Sequence, residues 1–375
     1  MTNRFSTDRI LFGTALTLVF FGLLMVYSSS APLAAEQYGS AGAIFWRQAA
    51  WAVLGIGAML LFMRLDYHHL SHPAILFPGI FAALVMLAVV LYTAPHQQTH
   101  RWLRWGALSF QPSEFAKLIV IIFLAYWLAK RAGRLDNFLR DLLPALCLTG
   151  LVVALILREP DLGTPVAILL VASGMFFIAG LPWRYFLYLF LGSLPAFYVL
   201  VYRVPYRRDR ILAFLDPYAD PLGSGFQVIQ SLISVGTGGM TGMGLMNSRQ
   251  KLFYLPAAHT DFIFAVTAEE LGLWGALVLL SLFFIYFWRG WRASLLAPDD
   301  FGSYLAAGLT LMIFCQSLIN ISVVLALVPP KGIPLPFLSY GGSSLFFSLI
   351  ATGILLNITR HAAWGEKIRS VENGP

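Results

Sequence analysis

Ten stretches of roughly bilayer length, apolar almost throughout, recur along this chain, at about 10–29, 44–64, 73–93, 114–130, 142–157, 163–180, 183–203, 262–288, 303–328 and 339–358. A helix needs about 20 such residues to cross a hydrocarbon core of about 30 Å. Inside that core every amide must find its partner within its own segment, so windows of this kind span as helices. The composition agrees, with 58% hydrophobic and 11% charged residues and a mean hydropathy of +0.74, against about 25% charged in soluble domains. The expectation is an all-α integral membrane protein, a polytopic bundle of about ten transmembrane helices forming one domain over residues 1–375. The first run exceeds the 7 to 15 residues of a signal-peptide core and reads as an uncleaved span.

An even number of spans puts both termini on one side. Arg4, Arg9, Arg64, Lys130, Arg131, Arg134, Arg140, Arg184, Arg289, Arg292, Arg360, Lys367 and Arg369 share that side in short loops and tails. By the positive-inside rule it is the cytoplasm, which makes the chain a multi-pass membrane protein with both termini cytoplasmic. A short polar tail is expected over 363–375. The net charge of +7 suits anionic lipid or phosphate. It does not point to nucleic acid, because no soluble basic module with interleaved aromatics is present to read bases. Cys147 and Cys315 both fall in apolar stretches and read as small buried hydrophobes rather than a disulfide framework.

The longest interruption, residues 204–261 between spans seven and eight, falls on the extracytoplasmic side and carries Arg207, Arg208, Arg210, Arg249 and Lys251. Phe226 to Val235 places Gln227, Gln230, Ser231 and Ser234 on one helical face with apolar residues opposite, the pattern of a helix at a membrane surface or over a cavity. Gly236, Gly238, Gly239, Gly242 and Gly244 follow and allow the chain to fold back on itself.

The unusual polar residues crowd the same face. Arg101 and Trp102 lead into Ser113, Glu114 and Lys117 at the start of span four. Glu114 and Lys117 pair at i, i+3, either as an interfacial cap with a snorkelling lysine or as a cationic wall for phosphate. Arg158, Glu159, Pro160 and Asp161 join spans five and six, either as an acid/base pair or as a turn with a helix N-cap. His259 and Asp261 stand where the long loop re-enters the membrane. Low-dielectric surroundings there would raise a carboxylate towards general-base usefulness, and an N-cap aspartate is the plainer reading. Glu269 and Glu270 lie about two turns deeper, where they need a partner such as Lys117 or an arginine. Lys331, Ser339, Gly341, Gly342 and Ser343 precede the last span, where free helix amides suit an anion. The glycine run fits neither nucleotide-binding pattern, and HExxH and GxSxG are missing, so nothing indicates ATP, a flavin, zinc or a serine acyl-enzyme.

Taken in order, Arg101-Trp102, Gln111-Pro112-Ser113-Glu114, Glu159-Pro160-Asp161-Leu162-Gly163, Asp216-Pro217, His259-Thr260-Asp261-Phe262, Glu269-Glu270-Leu271-Gly272, Gln316 with Asn320, and Ser339 to Ser344 resemble the SEDS family. These are peptidoglycan polymerases of the FtsW and RodA type. Asn247 to Leu252 and Pro330-Lys331-Gly332 resemble the division-type branch more than the elongation-type one. The resemblance implies ten spans with a large extracytoplasmic loop between spans seven and eight. It also implies a place in the bacterial cytoplasmic membrane and polymerisation of lipid II, a disaccharide-pentapeptide on a polyprenyl pyrophosphate, into glycan strands for the septal wall.

Asp261 would then be the catalytic base. Arg101, Trp102, Glu114, Lys117, Glu159, Arg207, Arg210, Gln227, Gln230, Ser231, His259, Lys331, Ser339, Gly341, Gly342 and Ser343 would line the substrate site. No motif demands a cofactor, although a divalent cation, Mg2+ or Mn2+, would suit the pyrophosphate. The implied partners are a class B penicillin-binding protein transpeptidase and other division or elongation proteins. Two departures stand out: Phe253-Tyr254 and Ala257 occupy places where many relatives are acidic, so an auxiliary carboxylate would have to come from elsewhere, with Glu159 as the candidate. A lipid II flippase or other transporter, and a noncatalytic division scaffold, are the competing readings. Transporters place ionisable groups near the midplane, whereas these crowd one face.

Overall fold

The computed structural model describes residues 8–93, 101–105, 108–132, 137–159 and 161–372. Arg4, Arg134 and Pro160, named in the sequence argument, lie outside the described residues, as do residues 373–375 of the expected tail. Among the described residues twelve α-helices make up most of the structure: α1 Arg9–Tyr38, α2 Ala43–Phe62, α3 Pro73–Val90, α4 Pro112–Ala129, α5 Leu143–Arg158, α6 Gly163–Ile178, α7 Trp183–Phe197, α8 Pro205–Leu215, α9 Phe226–Gly238, α10 Ile263–Leu296, α11 Asp300–Val324 and α12 Gly342–Glu372. Among the described residues, eight helical segments are long and apolar enough to cross a membrane. The sixth and seventh expected spans are shorter, 16 residues in α6 and 15 in α7, with a π-turn over Tyr198–Tyr202 prolonging α7.

Helix starts follow local chemistry. Asp8 caps α1 through the amides of Ile10 and Leu11 at 3.1 and 3.0 Å, and Asp299 caps α11 through Gly302. Proline opens α3, α4, α5 and α8, where its missing N–H costs nothing. Helices α4, α11 and α12 form the buried centre, while α2, α3 and α10 turn much of their surface outward. Helices α2 and α12 run along each other, and α11 packs against α10, α4 and α6. Large apolar side chains such as Phe20, Val53, Phe81 and Phe177 are exposed, as a lipid-facing surface requires.

Three features depart from the sequence expectation. A short antiparallel hairpin, β1 Leu103–Trp105 and β2 Leu108–Phe110, precedes α4, with Leu103 opposite Phe110. The last helix continues to Glu372 through most of the segment expected as a tail. The eighth span, read as 262–288, continues to Leu296 and is broken at Gly272, whose φ is +65°.

At that break the amides of Leu273 and Trp274 donate to Gly239 and Met240, while the carbonyls of Glu269 and Glu270 accept from Met243 and Gly244. The glycine run of the long loop thus supplies the partners that the interrupted helix lacks, the condition under which broken helices survive at membrane depth. A Cβ on Gly272 would lie 2.3 Å from the Gly242 amide, and one on Gly238 would lie 2.0 Å from the Ala268 carbonyl. The long loop is itself largely helical. Its α9 presents Ser231 and Ser234 to the protein and leaves Leu232 and Ile233 exposed, the polar seam inward and the apolar face outward.

Candidate functional site

Asp261 lies just before α10, half-buried, at the end of the bundle that carries the long loop. Its backbone carbonyl accepts from Asn320 Nδ2 at 2.7 Å, and the same amide group donates to the Ile333 carbonyl at 2.7 Å. One buried side chain on α11 therefore fixes both segments that face each other across the site. Further bonds tie residues 259–261 to 330–340. Tyr340 N donates to the His259 carbonyl at 2.9 Å and Ser339 Oγ to the Thr260 carbonyl at 2.5 Å, while Gln316 Nε2 of α11 holds the Pro334 carbonyl at 2.8 Å. Gly332 sits beside the carboxylate: a Cβ there would lie 2.8 Å from Asp261 Oδ2.

Burial is the main reason that the Asp261 carboxyl is raised to about 6, with the nearby Asp161 adding to it and the positive charges of Arg101 and Arg210 opposing. Arg210 reaches over from α8 to the Pro330 carbonyl, and Arg101 Nε donates to the Glu159 carbonyl at 3.1 Å. Burial lowers Lys331, and Asp161 partly restores it. Enclosure holds His259 down at about 4, so its ring is neutral at pH 7. Glu159 is fully buried, its two carboxyl oxygens have no hydrogen-bond partner among the described residues, and desolvation with the neighbouring Asp161 drives it up to about 9. It is a neutral acid at pH 7.

The two carboxyl groups flanking Pro160 therefore have different surroundings. Asp161 takes the plainer of its two readings: it accepts from the amides of Gly163 and Thr164 and from the Thr164 hydroxyl, capping α6. With Asp161 committed to that cap and Glu159 protonated, Asp261 is the one carboxylate of the three left to act as a base. This donor set does not fit a protein-held divalent cation, which prefers several ionised oxygens. No group of three or more candidate ligands occurs among the described residues.

The structure brings the charges of Arg101 and Arg210 to Asp261, sets Glu159 and Lys331 by the adjoining Asp161, ties Ser339 and His259 into the same loop pair, and leaves Trp102 and Arg207 half-buried. Gln227 and Gln230 are half-exposed on α9, but Ser231 is turned away, its hydroxyl bonded to the Val324 carbonyl. Glu114 and Lys117 form the expected ion pair at 2.9 Å. They lie inside the bundle at 5% and 4% exposure, with Lys117 also bonded to Gln316. That geometry is a brace and not an open cationic wall.

Gly341 donates to Gln48 Oε1, Gly342 packs where a Cβ would strike the Trp51 ring at 2.2 Å, and Ser343 is fully buried. The start of α12 is closed by α2 and is not an open anion site. The partner of Glu270 is Lys251, in place of the expected Lys117 or arginine, while Glu269 is bonded by Ser234, Ser248 and the Arg249 amide. Asn320, Gly332 and Gln48 are the positioning residues that the sequence reading left out of the site. The signal for Asn320 was present, since Gln316 and Asn320 are amides four apart on one face of an apolar span.

Fold and site together define a polytopic helical membrane protein with a cluster of ionisable side chains at one end of its bundle. The chain belongs to the FtsW/RodA/SpoVE family of cell cycle proteins, which it matches over residues 8–363. A probable peptidoglycan glycosyltransferase FtsW of Geobacter sp. strain M18 is 41% identical over 94% of this chain and 96% of its own length. The stage V sporulation protein E of Bacillus subtilis is 43% identical over 97% and 100%. Among solved structures, a chain of a peptidoglycan synthase complex that coordinates polymerization and crosslinking superposes with a TM-score of 0.77 at 34% identity, over 95% of this chain and 98% of that one. The rod shape determining protein RodA of Thermus thermophilus gives 0.69 at 28%, over 96% and 98%.

Proposed function

We propose that this chain is a peptidoglycan glycosyltransferase that polymerises lipid II at the outer face of the cytoplasmic membrane, for the septal wall, with both termini in the cytoplasm. The observation that carries the reading is Asp261: a carboxylate raised towards neutrality, beside Gly332, with the charges of Arg101 and Arg210 acting on it and Lys331 by the neighbouring Asp161. Asp261 takes the proton of the acceptor 4-hydroxyl as that oxygen attacks the anomeric carbon of the donor. The anomeric carbon–pyrophosphate bond breaks, the configuration inverts, and the polyprenyl pyrophosphate leaves. Arg101, Arg210 and Lys331 stabilise the charge that collects on the departing pyrophosphate. General-base help of this kind is worth about 10² to 10⁴ in rate.

The crosslinking partner is a class B penicillin-binding protein. The resemblance to a chain of a synthase complex that couples polymerization to crosslinking supports this pairing. Proteoliposomes holding the purified chain and labelled lipid II test the proposal. Glycan strands should form. Movement of lipid II between leaflets without polymer would show a transporter instead.

A further inference from the structure

At the end of the bundle opposite Asp261, Tyr67 is buried between α11 and α12. Its amide donates to Asn357 Oδ1 and its hydroxyl to Asp299, and its ring stacks on His68 at 4.1 Å. His68 spans two carboxylates, with Nδ1 2.6 Å from Asp66 and Nε2 3.3 Å from Asp299. Both of these acids are thereby engaged, and a third, the exposed Asp300, stands in the first turn of α11. His68 also lines a pocket of about 450 Å³ between the starts of α3 and α11 and the end of α4, with Pro73, Ala129 and Phe301 in its apolar wall.

The polar part of that pocket consists of donors. Lys130 lies 2.5 Å from the Tyr126 hydroxyl and 4.3 Å above its ring, and it makes no ion pair among the described residues. Its neighbour Arg131, by contrast, is paired with Asp141. Because the Tyr126 oxygen accepts from Lys130, its own proton is free to donate. His72 Nδ1 accepts from the Ala74 amide, which leaves the proton of the neutral ring on Nε2. The first turn of the 18-residue α3 adds its positive dipole end. Phe77 and Phe81, four apart on one face of α3, are exposed apolar surface on which acyl chains can lie.

We infer that Lys130, Tyr126 and His72 form a second binding site, for the phosphate group of an anionic ligand, at the end of the bundle opposite Asp261. Basic pockets between helices on the cytoplasmic side are suited to anionic headgroups. The inference rests on the orientation proposed above only in placing this pocket at the inner leaflet. Two sources share the chemistry, a phospholipid headgroup and a soluble phosphate.

Native mass spectrometry of the purified full-length chain in detergent, titrated with dioctanoyl-phosphatidylglycerol or dioctanoyl-phosphatidylcholine, tests it. Phosphatidylglycerol should bind more tightly. The Lys130→Gln/His72→Gln variant should lose about five-fold or more of that affinity, on the scale of one cation at a membrane surface. Arg140→Gln, which removes a cation outside the pocket, should not. Millimolar inorganic phosphate that displaces the lipid would assign the soluble source, and failure to displace it the lipid source.

Equal binding of the two lipids, or unchanged binding by the double variant, would overturn the site. So would affinity of the wild-type chain that ignores added salt, which needs no variant. Neither lipid II nor glycan enters the measurement, so its outcome is separate from that of the polymerase reading.

Discussion

Lys251 Nζ lies 2.8 Å from Glu270 Oε1, in surroundings where both side chains are almost completely enclosed, and Ser28 of α1 bonds to the same carboxylate at 2.7 Å. This pair joins the long loop, the first helix and the upper part of α10 just above the break at Gly272. Removing one partner of a buried pair leaves an uncompensated charge, at a cost of about 3–5 kcal/mol, whereas removing both is often nearly neutral. Lys251→Met should therefore lower the melting temperature strongly, and Lys251→Met/Glu270→Gln should recover most of the loss. A double variant that melts as low as the single one would show that the charge is not what matters there.

Gly272→Ala should be far more damaging than an ordinary helix substitution. Its φ is +65° and the added carbon would meet the Gly242 amide and the Met240 carbonyl, so the loop could no longer close over the break. Gly57→Ala in α2, with nothing within 4 Å, is the matched control and should be neutral or slightly stabilising. Limited proteolysis of the long loop reads the difference: rapid cleavage is expected in the first variant alone.

Glu159 should impose a pH dependence on stability. Its carboxyl rises from 4.5 to about 9 on folding. Between those values the unfolded chain has released the proton that the folded chain keeps, so stability falls as pH rises through that window. Glu159→Gln carries no titrating proton and should melt above the wild-type chain at pH 8 while matching it near pH 4.5. An equal offset at both pH values would assign the effect to packing.

Much of this was legible in the chain. Apolar windows of bilayer length located the spans because a lipid solvent leaves the backbone few options. The serine and glutamine spacing of 226–235 announced α9, although which face turned inward depended on lipid as the outer medium. The Glu114–Lys117 pair is local at i, i+3 and was visible for that reason. The partner of Glu270 was not, because the 18 residues between Lys251 and Glu270 fold back through left-handed backbone at Phe253 and Ala257 that no periodicity encodes. The split between Glu159 and Asp161 was equally hidden: one finds a helix N-terminus and the other nothing, and only tertiary packing decides that. The closed start of α12 follows from Trp51 and Gln48 of α2, some 290 residues away in sequence.

Asn320 offers a test of positioning without touching the proposed base. Its amide holds the Asp261 and Ile333 carbonyls at 2.7 Å each. Displacements of about 1 Å in a reacting group can cost 10²-fold in rate. Asn320→Leu should reduce polymerisation by about ten- to a hundred-fold, mainly in kcat. A rise in KM alone would place Asn320 in substrate binding.

The most direct measurement is the glycan polymerisation rate of Asp261→Asn beside the wild-type chain, in the same lipid, across pH 5 to 8. Because burial raises the carboxyl to about 6, the wild-type rate should climb as the pH passes that value and then level off as the base becomes ionised. The asparagine variant should fold normally, be slower by about 10² or more on the wild-type plateau, and show no rise through pH 6, so that the gap narrows towards pH 5. A variant that polymerises lipid II at the wild-type rate, with the same pH profile, would contradict the assignment of Asp261 as the base.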